Sequence, residues 1–262
     1  MCARKGAFDH FDTVLCAGPH QIDEIRETEA MYDLPPKNLV PCGYGLLDNL
    51  VKGYEALDHR EESGGRKQIL IAPSWQEGNI LDSCVDELVS QLDGEKYFVV
   101  VRPHPEYVKR FPGKMKSLQT RYQAADPSHL MIEADFSSNV TIFTADLVIT
   151  DWSGIAYEFT FATKKPALFI NTPMKVLNPD YTKYTNLPLD ITLRDQVGIS
   201  LDLDKVRETR STVDKLLDER DAYKQKIEEI LHKCVFNIGG SGAAAGRYIL
   251  KSLQKRQATE KK

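Results

Sequence analysis

Residues 145–171 combine a short apolar run, a polar turn, a helical pattern and a second apolar run, and this succession constrains the fold more than any other stretch. Residues 147–149 (Leu-Val-Ile) are typical of a strand buried on both faces. Residues 155–163 repeat apolar side chains at helical spacing, and Lys165-Pro166 ends the pattern because proline cannot continue a helix. Residues 167–170 again have a strand pattern. The stretch therefore predicts a strand–turn–helix–strand unit with parallel strands.

The turn of this unit, residues 150–154 (Thr-Asp-Trp-Ser-Gly), has the composition of an anion site. We expect Ser153 to be the N-cap of the following helix. The first N–H groups of a helix lack intrahelical acceptors and can bind a phosphate at the carboxyl end of the sheet. Asp151 is expected to orient the turn by accepting hydrogen bonds from backbone N–H groups. The alternative is ordinary helix capping without a ligand.

The composition is that of a globular protein and argues against several classes. Hydrophobic residues make up 42% of the 262 residues and charged residues 27%, which suits one large domain or two small ones. The net charge of −4 argues against a protein that coats nucleic acid. No apolar run reaches the length of a membrane span, and the N-terminus lacks the apolar core of a signal peptide.

The cysteines are scattered, odd in number and never arranged as Cys-x-x-Cys. This pattern predicts reduced thiols in a cytoplasmic protein and no cysteine-based zinc site, and we expect no metal and no cofactor. The five are Cys2, Cys16, Cys42, Cys84 and Cys234.

Strand and helix patterns alternate along the chain, which predicts an α/β fold with a Rossmann-type, largely parallel sheet flanked by helices. The polar, glycine-containing stretch at residues 59–67 is the expected boundary between two lobes. Residues 1–60 form the smaller lobe in this prediction and residues 61–262 the larger one. The other expectations are single helices at residues 80–92 and 212–233, an irregular segment at 171–193 and a weak pattern at 201–207.

Three predicted strands of the larger lobe end in unusual polar turns. Ser74 and Trp75 follow the first strand, Arg102 and His104 the second, and residues 150–154 the third. Because the carboxyl ends of parallel strands share one edge, where ligands of such sheets bind, we expect the three turns to lie together. Arg102 and His104 would give a phosphate charge-assisted hydrogen bonds, and protonated His104 would stabilise a departing phosphate. The alternative for His104 is a rigid surface turn between two prolines that suppress a helix.

Other residues near these turns have two interpretations each. Glu158, one helical turn beyond Gly154, is placed to accept hydrogen bonds from ribose hydroxyls or, alternatively, to pair with a lysine. Trp75 and Trp152 are placed to stack on a base, although tryptophans near strand ends more often cover the core. Residues 239–242 (Gly-Gly-Ser-Gly) form either a second phosphate-binding nest or a break between two helices.

Three motifs in this order resemble the CDP-glycerol glycerophosphotransferases of teichoic-acid synthesis. They are residues 72–75 (Ala-Pro-Ser-Trp), 101–105 (Val-Arg-Pro-His-Pro) and 146–154 (Asp-Leu-Val-Ile-Thr-Asp-Trp-Ser-Gly). A carboxylate, Glu158, and Lys165-Pro166 follow at the family's spacing. The resemblance implies a GT-B architecture of two Rossmann-like lobes, with the nucleotide donor held mainly by the C-terminal lobe. It also implies transfer of a polyol phosphate from a CDP-activated donor to a hydroxyl acceptor, without an obligatory metal.

The resemblance also implies roles for individual residues. His104 would contact the donor pyrophosphate and assist departure of the leaving group, and Glu158 would lie near the ribose. The resemblance places Thr150, Asp151, Ser153 and Gly154 in the phosphate-binding turn. Ser74, Trp75 and Arg102, at the other two strand ends, complete the set of residues that we expect to bind the donor.

The sequence departs from the family pattern at three places. Arg102 and Pro103 replace the usual Lys-x before the histidine, and Gly154 replaces a second serine. The Trp-His-Gly motif, whose histidine would be the general base, does not occur in this sequence. We therefore expect a C-terminal fragment or a natural short form, in which His20, at a strand exit of the smaller lobe, would act as the base.

Other functions fit the same pattern. A nucleotide-sugar glycosyltransferase or a UDP-sugar epimerase shares the architecture, and a nucleotide-binding module without turnover would fit the lack of the Trp-His-Gly motif. For a transferase, the expected partners are the CDP-activated donor and a lipid-linked or glycan acceptor, with no nucleic acid. Peripheral contact with the inner face of a membrane is a further expectation, because the lysines and arginines of residues 109–121 would face anionic lipid. The alternative is a solvated charged face.

Overall fold

Two sheets, both with parallel strands only, organise the part of the chain that the structure describes. The structure is a computed structural model, and it describes residues 4–57 and 65–260. The expected boundary loop therefore lies largely outside the described residues, as does Cys2. The strands are β1 (Thr13–Cys16), β2 (Asn38–Pro41), β3 (Lys67–Ile71), β4 (Tyr97–Val101), β5 (Leu130–Ile132), β6 (Leu147–Thr150), β7 (Ala167–Asn171) and β8 (Gly198–Asp202).

The smaller sheet pairs β1 with β2, and the larger sheet has the strand order β5-β4-β3-β6-β7-β8. Strands β3, β4, β6 and β7 have near-continuous apolar sequences, as parallel strands covered on both faces require. Helices surround the sheets, which confirms the predicted α/β class. They are α1 (Pro19–Tyr32), α2 (Gly45–Glu55), α3 (Ile80–Ser83), α4 (Val85–Gln91), α5 (Pro105–Arg110), α6 (Pro112–Arg121), α7 (Val140–Thr144), α8 (Ile155–Thr163), α9 (Leu189–Thr192), α10 (Arg194–Val197), α11 (Thr209–Asp218), α12 (Arg220–Cys234) and α13 (Ser241–Glu260), with 3₁₀ turns at Pro179–Lys183 and Leu203–Glu208.

The chain forms two compact units that are not continuous in sequence. The first unit comprises Met1–Ala56, Val176–Ile191 and Glu228–Lys262, and the second comprises Leu57–Lys175 and Thr192–Ile227. The expected division gave all of residues 61–262 to the larger lobe, whereas two of these segments return to the first unit. Local sequence patterns do not specify on which sheet a helix packs, so this return is decided by tertiary contacts.

Polar contacts hold the returning segments in the first unit. The hydroxyl of Tyr248 on α13 lies 3.0 Å from the Thr13 hydroxyl of β1 and accepts from the Asn38 side chain of β2 at 2.7 Å. The hydroxyl of Tyr184 lies 2.8 Å from that of Thr28 on α1. Helix α13 therefore ties the two short strands together at their start.

Two long predicted helices are interrupted. Cys84 (φ −149°, ψ 10°) separates α3 from α4, and Glu219 (φ −89°, ψ 7°) separates α11 from α12. Single helices at residues 80–92 and 212–233 were therefore wrong predictions. Apolar spacing did not reveal the interruptions, because it indicates only which side of a segment faces the core. Ile80 lies before the break at Cys84 and Leu88 after it, and both are fully buried.

Strand β8 lies at an edge of the larger sheet, in a segment for which the sequence shows only a weak pattern. Its sequence, Gly-Ile-Ser-Leu-Asp, is only partly apolar because an edge strand is less enclosed. Gly198 at its start permits a close approach, since a Cβ there would lie 1.8 Å from the carbonyl oxygen of Ala167.

Candidate functional site

Three neighbouring strands of the larger sheet end at the same level. Ile71 near the end of β3 is in register with Val101 of β4 on one side and Ile149 of β6 on the other. All three strands are parallel, so the chain leaves them at one edge of the sheet. The turns that contain Ser74, His104 and residues 150–154 therefore follow adjacent strand ends, as ligand sites of open α/β sheets do.

Asp151 connects two of these turns. Its Oδ1 accepts hydrogen bonds from the N–H groups of Ser74 and Trp152, both at 2.7 Å, and its Oδ2 accepts from the N–H of Ile80 at 3.1 Å. The side chain is almost completely buried. A buried carboxylate with three backbone donors is well satisfied, so Asp151 holds the β3 exit, the start of α3 and the β6 exit in a fixed arrangement. Its contact with a donor phosphate remains a prediction.

Helix α8 begins at Ile155, as the apolar spacing predicted, but its cap lies one residue later than expected. Gly154 is its N-cap, with φ −60° and ψ −20°, and as a glycine it has no side chain to cap the helix. The prediction of Ser153 as N-cap was therefore wrong by one position, although the carbonyl of Ser153 does accept from the N–H of Ala156 at 3.3 Å. Within the described residues, no acceptor faces the N–H groups of Gly154 and Ile155.

The space above Gly154 is open. A Cβ atom built at this residue has no heavy atom within 4 Å among the described residues, and the residue is exposed. A ligand can therefore approach the backbone of the turn closely. The negative φ shows that glycine is not needed here for the backbone conformation.

His104 is the N-cap of helix α5. Its Nδ1 accepts a hydrogen bond from the N–H of Glu106 at 3.0 Å, and Pro105 is the first residue of the helix. The expectation that the prolines suppress a helix was wrong for Pro105, because a first-turn proline loses no hydrogen bond and has a helical φ. With Nδ1 as acceptor, the neutral imidazole carries its proton on Nε2.

The surroundings of His104 favour the neutral imidazole. Burial lowers the pKa of His104 below its ordinary value of 6.5, the positive charge of Lys175 lowers it further, and Glu106 and Asp151 oppose the shift. In the neutral state the imidazole offers Nε2–H as a hydrogen-bond donor. Protonation of His104 beside a departing phosphate remains a prediction.

Arg102 has partners inside the protein. Its guanidinium donates to Glu133 at 2.6 Å, to the Thr141 hydroxyl at 2.9 Å and to the carbonyl of Ser138 at 3.0 Å. It also lies 5.5 Å from the ring centroid of Phe136. These contacts hold the segment between β5 and α7, and contact between Arg102 and a phosphate remains a prediction.

The two tryptophans differ in their surroundings. Trp75 has the guanidinium of Arg110 at 4.7 Å and the ammonium group of Lys175 at 5.3 Å from its ring centroid. Trp152 donates its indole N–H to the carbonyl of Thr172 at 2.9 Å. Stacking of either ring on a base remains a prediction, and the contact of Trp152 fits a structural role.

The remaining predicted residues lie along the same edge. The Thr150 hydroxyl donates to the carbonyl of Ala72 at 2.6 Å, which adds a second link between the β3 and β6 exits. Ser74 is fully buried, and its Oγ has no hydrogen-bond partner among the described residues. Glu158 lies in the first turn of α8.

Comparison with known proteins identifies the family. A family model described as CDP-Glycerol:Poly(glycerophosphate) glycerophosphotransferase matches residues 5–191, which is more than half of the chain. The chain belongs to this glycerophosphotransferase family. The resemblance seen in the three motifs is thereby confirmed at the level of the family.

Solved structures show how far the fold is shared. A structure of the wall teichoic acid polymerase TagF with CDPG matches this family member with a TM-score of 0.57 and 18% identity, over 96% of this chain and 58% of that one. A trehalose 6-phosphate synthase from Burkholderia multivorans matches with a TM-score of 0.50 and 10% identity, over 96% of this chain and 60% of that one. Both likenesses concern the fold, which is GT-B-like. The family member spans about 58–60% of the length of these structures. No curated protein sequence matches it.

His20, the general base expected from the sequence, lies in the first turn of α1 in the first unit. Burial lowers the pKa of His20, whereas the carbonyl of Cys234 and the carboxylate of Asp190 raise it, and the net shift is downward. A lowered pKa favours the neutral imidazole, which is the form that a general base requires. Its participation in a transfer reaction remains a prediction.

The glycine-rich segment at residues 239–242 already holds an intramolecular anion. The carboxylate of Asp48 accepts from the N–H of Gly239 at 2.7 Å and from the N–H of Ser241 at 2.9 Å. Burial opposes ionisation of Asp48, but the hydrogen bond from the Ser241 hydroxyl and these two from N–H groups outweigh it and lower the pKa of the carboxyl group. Asp48 thus occupies the start of α13, which favours the interpretation of a helix break over that of a phosphate nest.

The charged segment expected to face lipid is largely paired within the protein. Lys114 contacts Asp82 at 2.9 Å, Arg121 contacts Asp86 at 2.6 Å, and Arg110 contacts Glu106 at 2.7 Å. This pairing favours a solvated charged face. The described helices include none that is both long and apolar enough for a membrane crossing. In the same residues, no group of three metal-binding side chains occurs.

The structure adds two cations that the sequence analysis did not single out. Lys175, which follows β7, lowers the pKa of His104 through its charge, and its ammonium group lies over the ring of Trp75. Arg194, the first residue of α10, contacts the turn at Asp151. Neither is part of a recognisable motif, since both lie in segments without clear periodicity.

Proposed function

We propose that the carboxyl edge of the six-stranded sheet binds the diphosphate of a CDP-activated polyol. In this proposal the chain takes part in transferring a polyol phosphate from that donor to a hydroxyl acceptor during cell-wall polymer synthesis. The observation that carries the proposal is the arrangement around Asp151, whose carboxylate joins the β3 and β6 exits beside the β4 exit with His104.

The open turn at the start of α8 suits a diphosphate. The N–H groups of Gly154 and Ile155 are donors at a helix N-terminus, where the helix dipole also favours negative charge. The open space at Gly154 lets phosphate oxygens reach these donors. Asp151 does not oppose an anion strongly, because its own charge is already shared among three backbone donors.

His104 is suited to assist the departure of CMP. Its Nε2–H can donate to an oxygen of the phosphate that remains with the cytidine, which stabilises the charge that develops there. In the reaction, the acceptor oxygen forms a bond to the polyol-bearing phosphorus, and the bond from that phosphorus to the bridging oxygen breaks. CMP leaves with the electron pair. The acceptor proton passes to a base, for which we propose His20.

The comparisons support the donor class. The family model names CDP-glycerol as donor and poly(glycerophosphate) as acceptor, and the TagF structure carries CDPG in its description. A uridine-nucleotide enzyme remains the alternative, because a trehalose-phosphate synthase described as UDP-forming has a similar fold. A lipid-linked form of the acceptor and peripheral membrane contact are further parts of this proposal.

Calorimetric titration of the chain with CDP-glycerol, CDP, UDP and UDP-GlcNAc tests the donor assignment. We expect CDP-glycerol and CDP to bind more tightly than both uridine compounds. Tighter binding of UDP or UDP-GlcNAc would instead indicate a nucleotide-sugar enzyme. Release of CMP from CDP-glycerol with an added poly(glycerol phosphate) acceptor then separates a transferase from a nucleotide-binding module. The lack of a Trp-His-Gly motif in this sequence favours the nucleotide-binding module.

A further inference from the structure

A buried arginine lies directly behind the proposed diphosphate turn. Arg194 is the first residue of α10 and is only 5% exposed. Its Nη1 donates to the backbone carbonyl of Asp151 at 2.9 Å, and its Nη2 donates to Oδ1 of Asn171 at 2.8 Å. The guanidinium thus bridges the turn after β6 and the end of the neighbouring strand β7.

Aromatic rings enclose the same guanidinium. It lies 4.1 Å from the ring centroid of Trp152 and 4.6 Å from that of Phe169. Trp152 is itself fixed through its indole hydrogen bond to Thr172. These contacts hold the planar guanidinium in one orientation, which a lysine ammonium group cannot reproduce.

The place of this charge is informative. Removing a guanidinium from water costs free energy, and at this position its charge lies within hydrogen-bond distance of the segment that offers N–H groups to an anion. A bound diphosphate would interact favourably with this charge through a region of low dielectric constant. The guanidinium holds the carbonyl of Asp151, and the N–H of the same peptide bond, that of Trp152, donates to the Asp151 carboxylate, so this peptide unit of the turn is fixed at both ends.

We propose that Arg194 is a positioning residue for the donor diphosphate. This inference rests on the proposed function. Arg194 holds the turn of residues 150–154 against β7 and supplies positive charge behind it. It acts through the turn and contributes to binding of the phosphates, whereas binding of the nucleoside does not depend on it.

The experiment compares CDP with cytidine, each titrated by NMR into the full chain. We expect Arg194→Gln to weaken CDP binding by about tenfold or more, because a charge interaction across the turn is lost. Cytidine affinity should stay within about twofold, since cytidine has no phosphates to interact with that charge. Arg207→Met is the matched control: it removes an exposed arginine of the same unit, and both affinities should stay unchanged.

Arg194→Lys decides the matter if Arg194→Gln does not fold. It keeps the charge but cannot bridge Asp151 and Asn171, so a selective loss for CDP is again expected. Equal loss for CDP and cytidine in the folded variants would show a merely structural role, and no loss would also overturn the proposal. If the unmodified chain binds neither CDP nor CDP-glycerol, the proposed function itself fails.

Discussion

The carboxylate of Asp151 accepts a hydrogen bond from the backbone N–H of Ser74 at 2.7 Å, although the two residues are 77 positions apart in the chain. This contact joins the exits of β3 and β6. It explains why a carboxylate is compatible with an anion site, because the carboxylate accepts hydrogen bonds from backbone N–H groups and is buried away from solvent. The candidate site is therefore an arrangement of backbone donors fixed by one buried side chain.

Asp151→Asn should destabilise the protein. The amide keeps one acceptor oxygen, but its NH₂ group would face the N–H of Ile80, which now donates to Oδ2 at 3.1 Å. We expect a loss of about 2 kcal/mol in the free energy of unfolding, as for a hydrogen bond to a buried charged group. Urea unfolding measures it, with the exposed Asp204→Asn as control. An unchanged free energy would show that the three hydrogen bonds contribute nothing net.

Two substitutions of His104 separate capping from chemistry. His104→Ala removes the acceptor for the N–H of Glu106 and should cost about 1 kcal/mol of stability. His104→Asn keeps a good N-cap residue, so its stability should remain within about 0.5 kcal/mol. Neither variant retains the Nε2 donor, and both should lose transfer from CDP-glycerol. Unaltered CMP release by His104→Asn would remove His104 from the proposed mechanism.

The affinity for CDP-glycerol should depend on pH through His104. Burial and Lys175 hold the pKa of His104 below 6.5 in the free protein, whereas a bound diphosphate favours the imidazolium. Binding should therefore take up a proton, and the affinity should rise as the pH falls toward the lowered pKa of free His104, by at most about tenfold per pH unit, and level off below it. The diphosphate diester has no group that titrates near neutral pH. Titrations between pH 5.5 and 8 check this, and the same slope in His104→Asn would assign the effect to another group.

Gly154→Ala should separate stability from binding. Its φ of −60° and the absence of described atoms within 4 Å of a Cβ mean that alanine fits. The entropy gain of up to about 1 kcal/mol is opposed by the lower preference of alanine for an N-cap, so stability should change by less than about 1 kcal/mol. The added methyl group would occupy the space that the phosphates are proposed to enter, so CDP binding should weaken. Gly113→Ala on α6 is the control, since it also has open space around its Cβ. Equal CDP affinity in both variants would place the diphosphate away from Gly154.

Much of the site's framework was predictable from local patterns. The strand–turn–helix–strand unit appears as β6, α8 and β7 within one residue of the expected limits, because apolar runs and the Lys-Pro stop are local signals. The cap was predicted one residue too early, because serine is a good capping residue and composition does not specify a helix end to a single residue. His104 illustrates the same point, since its N-cap role depends on the imidazole orientation.

The sequence by itself determined the α/β class, the parallel strands and the family, because periodicity and turn composition are properties of neighbouring residues. Only the tertiary structure decided the partners of Asp151, the burial of Arg194 beneath the turn and the return of α13 to the first unit. Those features depend on which distant segments meet. The free energy of a buried charge is set by such neighbours in space, so the sequence alone does not specify it.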